Sequence, residues 1–273
     1  MYKGDSHIHS CFSTDSDEKL ENIIERAIEL GLDEIVITDH MDYNDDEKDD
    51  IFVFNIDDYL KTLNAYRQKY KDKIIIKIGM ELGIQPQLFK RYEPILKSDV
   101  YDFLIGSSHS AMGIDVGYLE YHEHFKNKDD AHRRYFEEIL KNLEIYDNTH
   151  INTYGHLDFI RRYGGGRFKD HSELNLELHR EIIDKILKKL IEKKIGLELN
   201  TSGIRYGLGE FHPCNEIFKR YKELGGEIIT LGSDAHRACD IAKDFDKARE
   251  FLKSLGFKYF CTFTKKKIEY REL

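Results

Sequence analysis

The chain offers no paired cysteines. Cys11, Cys214, Cys239 and Cys261 stand far apart, without the Cys-x-x-Cys spacing of a zinc ribbon or a redox dithiol, so they read as buried or incidental thiols. Long apolar runs are missing as well. No stretch approaches the roughly 18 residues needed to cross a bilayer, and Met1-Tyr2-Lys3-Gly4-Asp5 contains no apolar signal-peptide core. The expectation is a cytoplasmic protein with no membrane partner. Positive charge is in deficit: 42 Lys and Arg face 51 Asp and Glu, for a net charge of −9. That balance argues against general binding of nucleic acid, which needs an extended basic surface to neutralise phosphates. There is no internal repeat, low-complexity tract or proline-rich linker, so residues 1–273 read as a single domain.

What is present is apolar material in a regular order. With 40% hydrophobic and 34% charged residues, the chain can bury a substantial core. Short apolar runs suited to buried parallel strands fall at about 3–8, 33–38, 73–80, 101–106, 152–157, 195–200 and 227–232, with a further candidate at 258–263. Amphipathic stretches lie between or after them at 17–30, 56–71, 86–97, 129–146, 172–193, 214–224 and 241–255. Strand and helix therefore alternate throughout, which predicts an α/β fold with a parallel sheet and crossover helices. Seven strands suit a closed barrel slightly short of the common eight; an open doubly wound sheet is the alternative. Four long loops, 41–55, 110–128, 158–171 and 201–213, follow strands and are expected on one rim.

Polar groups able to hold a metal end almost every strand. His7 and His9, one residue apart on a strand and preceded by Asp5, point to the same side of the sheet. His40 closes Ile35-Val36-Ile37-Thr38-Asp39-His40, where a purely structural sequence would turn through Gly, Asn or Pro. Glu81 ends Ile74-Ile75-Ile76-Lys77-Ile78-Gly79-Met80, and a carboxylate there can bridge two ions. His109, His156 and Asn200 end further strands, and Asp234 and His236 repeat the one-residue spacing in Ser233-Asp234-Ala235-His236. Strand ends in a barrel lie side by side, so these groups can converge on one rim as a multinuclear metal site. The other histidines, at 122, 124, 132, 150, 171, 179 and 212, fall on predicted loops or helices and read as ordinary. His122 and His124 share the 110–128 loop with Tyr118 and Tyr121, within possible reach of a substrate.

Taken in order across residues 5–236, these motifs resemble the polymerase and histidinol phosphatase (PHP) superfamily: His-x-His, Thr/Ser-Asp-His, a strand-end Glu, isolated histidines and a final Asp-x-His. Gly79-Met80-Glu81-Leu82-Gly83, Ile105-Gly106-Ser107-Ser108-His109 and Gly155-His156-Leu157-Asp158-Phe159-Ile160-Arg161 look most like its histidinol-phosphate phosphatase branch. The resemblance implies a distorted (β/α)7 barrel carrying three divalent metals, whether zinc, iron or manganese, at the C-terminal ends of the strands. It implies that His7, His9, Glu81 and Asp234 hold the first ion, that Glu81, His109 and His156 hold the second, and that His40 and His236 hold the third. Where many members carry a further histidine, this chain has Asp15, a carboxylate that can also ligate such an ion.

The implied reaction is hydrolysis of L-histidinol phosphate to L-histidinol and phosphate, a step of histidine biosynthesis. A hydroxide bridging two metals would be the nucleophile, with Glu81, Asp234 and His236 holding the catalytic ions. Arg161 and Arg205, which follow ligand-bearing strand ends, are the expected phosphate binders, whereas Arg162, Arg167 and Arg237 read as solvated or ion-paired. Other outcomes left open are a phosphoesterase for another small monoester or nucleotide, a 3′–5′ exonuclease, and a metal- or phosphate-binding protein without turnover.

Overall fold

The computed structural model describes residues 2–45 and 50–273. Seven strands follow one another through the main sheet: β1 (Gly4–Ile8), β2 (Glu34–Ile37), β3 (Ile75–Gly83), β4 (Phe103–Ser107), β5 (Thr153–Tyr154), β6 (Gly196–Asn200) and β7 (Ile229–Gly232). Every neighbouring pair is parallel. The two ends of the sheet meet at the rim, where Asp234 N–H donates to the His7 carbonyl (2.9 Å) and His9 N–H to the Ala235 carbonyl (2.8 Å). Below that point Asp5 fastens β1 to the segment after β7, since its carboxylate accepts from the Ser233 N–H (3.0 Å) and hydroxyl (2.5 Å). The result is a nearly closed barrel of seven parallel strands, as the alternation of apolar runs suggests.

Crossover helices cover the outside: α1 (Leu20–Glu29), α2 (Ile56–Tyr70), α3 (Phe89–Leu96), α4 (Lys128–Ile145), α5 (Leu176–Lys193), α6 (Asn215–Glu223) and α7 (Phe245–Ser254). Asn55, Asn127 and Asn175 start α2, α4 and α5 by accepting from the N–H three residues on, which satisfies an otherwise orphaned donor.

The period of two along each strand divides its side chains between two environments. Ile35, Ile37, Ile76, Ile78, Leu104, Leu197, Leu199, Ile229 and Leu231 join the large core shared with the helices. The alternate set contributes Val36, Phe103 and Ile105 to a smaller apolar cluster with Cys261 and Phe263. Those last two residues come from the extra candidate strand at 258–263. The structure places it at Tyr259–Thr264 and outside the barrel, in an antiparallel hairpin with Lys267–Glu272. The turn uses Lys265 and Lys266 at φ 50 and 60, so the chain reverses at once and has no crossover from which a parallel barrel strand could form. Apolar residues therefore fill one end of the barrel, and the alternate positions toward the other end are free to be polar.

Candidate metal centre

At the C-terminal rim the strand-end groups converge on Glu81, which is fully buried at the end of β3. Its two oxygens face different partners. Oε2 lies 3.1 Å from His7 Nε2, 3.4 Å from His9 Nε2 and 3.1 Å from His40 Nδ1. Oε1 lies 2.8 Å from His156 Nε2 and 3.2 Å from His109 Nε2, and it accepts from the Ser107 hydroxyl (2.7 Å). Asp234 Oδ1 approaches His9 Nε2 (3.4 Å), His236 Nδ1 (3.6 Å) and His7 Nε2 (3.8 Å). Asp15 is half-exposed at the mouth, its Oδ2 3.1 Å from His236 Nε2 and 3.6 Å from His40 Nε2. Three overlapping groups place one donor atom per residue within 4.8 Å of one another: His7/His9/Glu81, His40/Glu81/His109 and His9/His40/His236.

Behind these side chains stand groups that hold them in place. His7 Nδ1 lies 2.5 Å from Glu198 Oε1, and Glu198 Oε2 accepts the His156 backbone N–H (2.7 Å) and the Asn200 amide (3.1 Å). Asn200, expected among the metal-binding strand ends, has its carbonyl oxygen committed to the Ser202 N–H (3.0 Å) and hydroxyl (2.5 Å); it therefore orients Glu198. His109 Nδ1 lies 2.6 Å from Asp42 Oδ2. Asp39 is taken up by Ser10 and Ser13, whose hydroxyls each donate to it at 2.7 Å, and Ser13 in turn meets His9 Nδ1 at 3.1 Å. Glu198, Asp42 and Ser13 were not singled out from the sequence. The signal for Glu198 is an acidic residue in mid-strand between two core leucines.

The electrostatics follow from burial and crowding. Burial resists ionisation of Glu81, but His7, His109, His40 and His156 outweigh it and hold the carboxyl well below its usual range. Burial likewise disfavours a charged His7, yet Glu198, Glu81 and Asp234 raise it well above the ordinary imidazole value. His9 is pushed well down by burial and by the neighbouring His236 and His40, which leaves a neutral ring with a lone pair.

This donor set suits divalent cations. The Nε2 atoms of His7 and His9 lie 3.0 Å apart, and both also face Glu81 Oε2. Glu81 Oε2 is buried without a hydrogen-bond donor among the described residues. Converging lone pairs repel one another unless a proton or a cation lies among them, and imidazole with carboxylate is the chemistry of zinc, iron and manganese sites. Carboxylate-backed imidazoles such as His7 and His109 are the usual supporting pattern.

A cleft of about 270 Å³ opens over these groups, and all four long loops line it: Asp42 and Phe52, Asp115 and Tyr118, Phe159, Arg162 and Tyr163, then Tyr206. Residues 46–49 of the first loop lie outside the described residues. An adjoining cleft shares Asp42, Phe52, His109, Asp115 and Tyr118 and adds Asp45 and Glu120. His122 and His124 are not among the lining residues of either; His122 is buried, its Nε2 2.8 Å from the Val116 carbonyl.

Arg161 departs from the place expected of it. Arg161 does not line the cleft: its guanidinium is committed to Asp158 and Glu210, at 2.8 Å each, and to the Ser172 carbonyl, also at 2.8 Å. The next residue, Arg162, faces the cleft. It reaches Asp234 Oδ2 (2.9 Å) and lies over the Tyr206 ring, 4.2 Å from its centroid. Neighbours on a 3-10 turn project about a third of a revolution apart, so adjacency to a strand end does not select between them. Arg205 donates to the Asp234 carbonyl (2.7 Å) and braces the turn in which Asp234 takes a left-handed φ of 53.

Comparison with known proteins places the chain in a family. The family model for the PHP domain matches residues 5–202. The histidinol-phosphatase of Lactococcus lactis subsp. lactis is 35% identical over 98% of this chain and 97% of its own length. A probable histidinol-phosphatase of Clostridium acetobutylicum is 31% identical over 93% of this chain and 94% of its own. The crystal structure of the histidinol phosphate phosphatase from L. lactis, complexed with zinc, L-histidinol and phosphate, superposes with a TM-score of 0.86 at 33% identity and 98% coverage of both chains. The chain belongs to the PHP family.

Proposed function

We propose that this protein is a metal-dependent phosphomonoesterase that hydrolyses L-histidinol phosphate to L-histidinol and phosphate. The observation that carries the reading is the division of Glu81, whose oxygens face two separate sets of imidazoles beneath a cleft. His7, His9, Glu81 and Asp234 would hold one ion and Glu81, His109 and His156 a second, with His40, His236 and Asp15 completing a third position at the mouth. Zinc, iron or manganese there would act as Lewis acids on phosphoryl oxygens and make a nucleophile available from water near neutral pH.

The remaining work falls to the chain. Arg162, held by Asp234 and stacked on Tyr206, presents a fork-shaped cation to an incoming phosphate, and its geometry is fixed before substrate arrives. It takes the role expected of Arg161. Arg205 positions Asp234 by holding its backbone. The departing half of the substrate carries an ammonium and an imidazole, and the adjoining cleft answers with carboxylates at Asp45, Asp115 and Glu120 and rings at Phe52 and Tyr118. A phosphate pole beside an acidic, aromatic wall suits an ester whose alcohol is cationic better than it suits a nucleotide or an oligonucleotide.

Steady-state hydrolysis of L-histidinol phosphate should exceed that of nucleoside monophosphates and of a single-stranded oligonucleotide, and chelation should abolish it, with recovery on adding zinc or manganese. Comparable turnover of all three substrates, or undiminished activity in metal-free protein, would overturn the proposal.

A further inference from the structure

Helices α4 and α5 bring together a second group of metal-binding side chains away from the rim centre. Asp129 and His132 are three residues apart near the start of α4 and so share a face. His179 lies in the first turns of α5, which runs alongside. One donor atom from each of the three lies within 4.8 Å of the other two, and His179 Nε2 is 3.7 Å from Asp129 Oδ1. Ligands at about 2.0–2.1 Å around a tetrahedral ion stand roughly 3.3–3.4 Å from one another. Small side-chain rotations would therefore complete the set.

These atoms have no other employment. His132 and His179 are buried, and both ring nitrogens of His179, Nδ1 of His132 and Oδ1 of Asp129 lack hydrogen-bond partners among the described residues. Buried polar atoms are nearly always satisfied, so several unsatisfied ones converging from two helices point to something held between them. Burial is the main cause that pushes His132 down to about 3, and burial also lowers His179. Both rings are then neutral, the form that binds a metal. The neighbouring cations do not close the place to another: Lys128 is paired with Asp170 (2.7 Å) and Arg161 with Asp158 and Glu210.

We infer that Asp129, His132 and His179 form a separate site for one divalent first-row metal, zinc above all, that clips the start of α4 to the start of α5. Two imidazoles and one carboxylate leave a fourth position for water, and the carboxylate supplies the negative charge. The site does not depend on the proposed activity, since none of its three residues lines the cleft.

The test uses the full chain, stripped with chelator, loaded with Zn2+ or Co2+, desalted and assayed for metal by mass spectrometry. Asp129→Asn and His179→Gln should each retain one equivalent fewer than the unmodified chain, and the Zn2+-dependent rise in Tm should shrink in both. Equal metal content in all three proteins would overturn the inference and leave a hydrated polar pocket. Because a histidine variant can misfold, crystals of the unmodified protein grown with Zn2+ give a second reading. An anomalous peak between α4 and α5 is expected, and its absence overturns the site whatever the rim shows. A peak there with none at the rim would instead overturn the catalytic metal reading and leave this one standing.

Discussion

Glu198 touches two candidate ligands at once, through the side chain of His7 and the backbone N–H of His156. Replacing it with glutamine keeps the shape but removes the charge that orients His7 and strengthens its basicity. Metal affinity or kcat/KM in Glu198→Gln should fall about 10–100-fold, the usual cost of a lost outer-shell partner, while the far-UV spectrum stays unchanged. Retained metal and unaltered turnover would mean that His7 needs no anchor. The candidate ligands themselves were legible because a polar residue that stops an apolar run is conspicuous: Thr38-Asp39-His40 and Met80-Glu81 each end in a group that a core would not choose. Glu198 gave a weaker signal, since it lies inside Gly196-Leu197-Glu198-Leu199-Asn200, and a single acid between leucines reads as one position of an alternating strand. Which of Arg161 and Arg162 faces the cleft was beyond reach for another reason. Both follow β5, and only the rotation of a short turn decides which guanidinium meets Asp158 and which meets Asp234.

Among the elements, β7 packs tightly behind the centre. A methyl group added at Gly232 would collide with the Glu198 carboxylate and the Cβ of His7, so the strand can approach β1 and β6 only because this residue has no side chain. Gly232→Ala should therefore displace Glu198 or open the seam between β7 and β1, costing about 1–3 kcal/mol as an overpacked core does. Urea denaturation would report the lost stability, and metal analysis of the folded protein would report whether His7 has moved. A variant with native stability and full metal content would show that the seam yields at no cost. Strand order along the chain was readable from runs of Ile, Leu and Val separated by amphipathic stretches, because parallel strands covered by helices must be apolar. Closure was not, since it rests on two backbone hydrogen bonds linking β1 and the residue after it to the segment past the end of β7, and on the Asp5 carboxylate. The strand at Tyr259–Thr264 is β-prone like a barrel strand but aromatic rather than aliphatic, and the tight reversal after it pairs it in a hairpin instead.

Across the whole molecule, one polar chain ties two long loops to the rim. His212 Nδ1 lies 2.5 Å from Asp158 Oδ1, Arg162 Nε donates to His212 Nε2 (2.9 Å), and Arg162 continues to Asp234 (2.9 Å). A ring that accepts from an arginine at Nε2 and donates from Nδ1 is neutral. Burial, helped by the charge of Arg162 and opposed by Asp158, lowers His212 to about 4. In the unfolded chain a histidine titrates near 6.5. Between about pH 6.5 and 4 the unfolded state therefore binds a proton that the folded state refuses, and stability drains away as the pH falls through that window, by at most about 1.4 kcal/mol per pH unit. Asp158 acts in the same direction at lower pH: burial favours its neutral form, but His212 and Arg161 hold it well below the usual carboxylate range, so protonating it costs further stability. Urea denaturation of metal-free protein at several pH values should show the slope, and His212→Gln, which can still donate to Asp158, should flatten it by the equivalent of one proton whatever its effect on stability at pH 7. Parallel pH profiles for the two proteins would mean that His212 is protonated in the folded state and that the ordering of Arg162 over the cleft has another source.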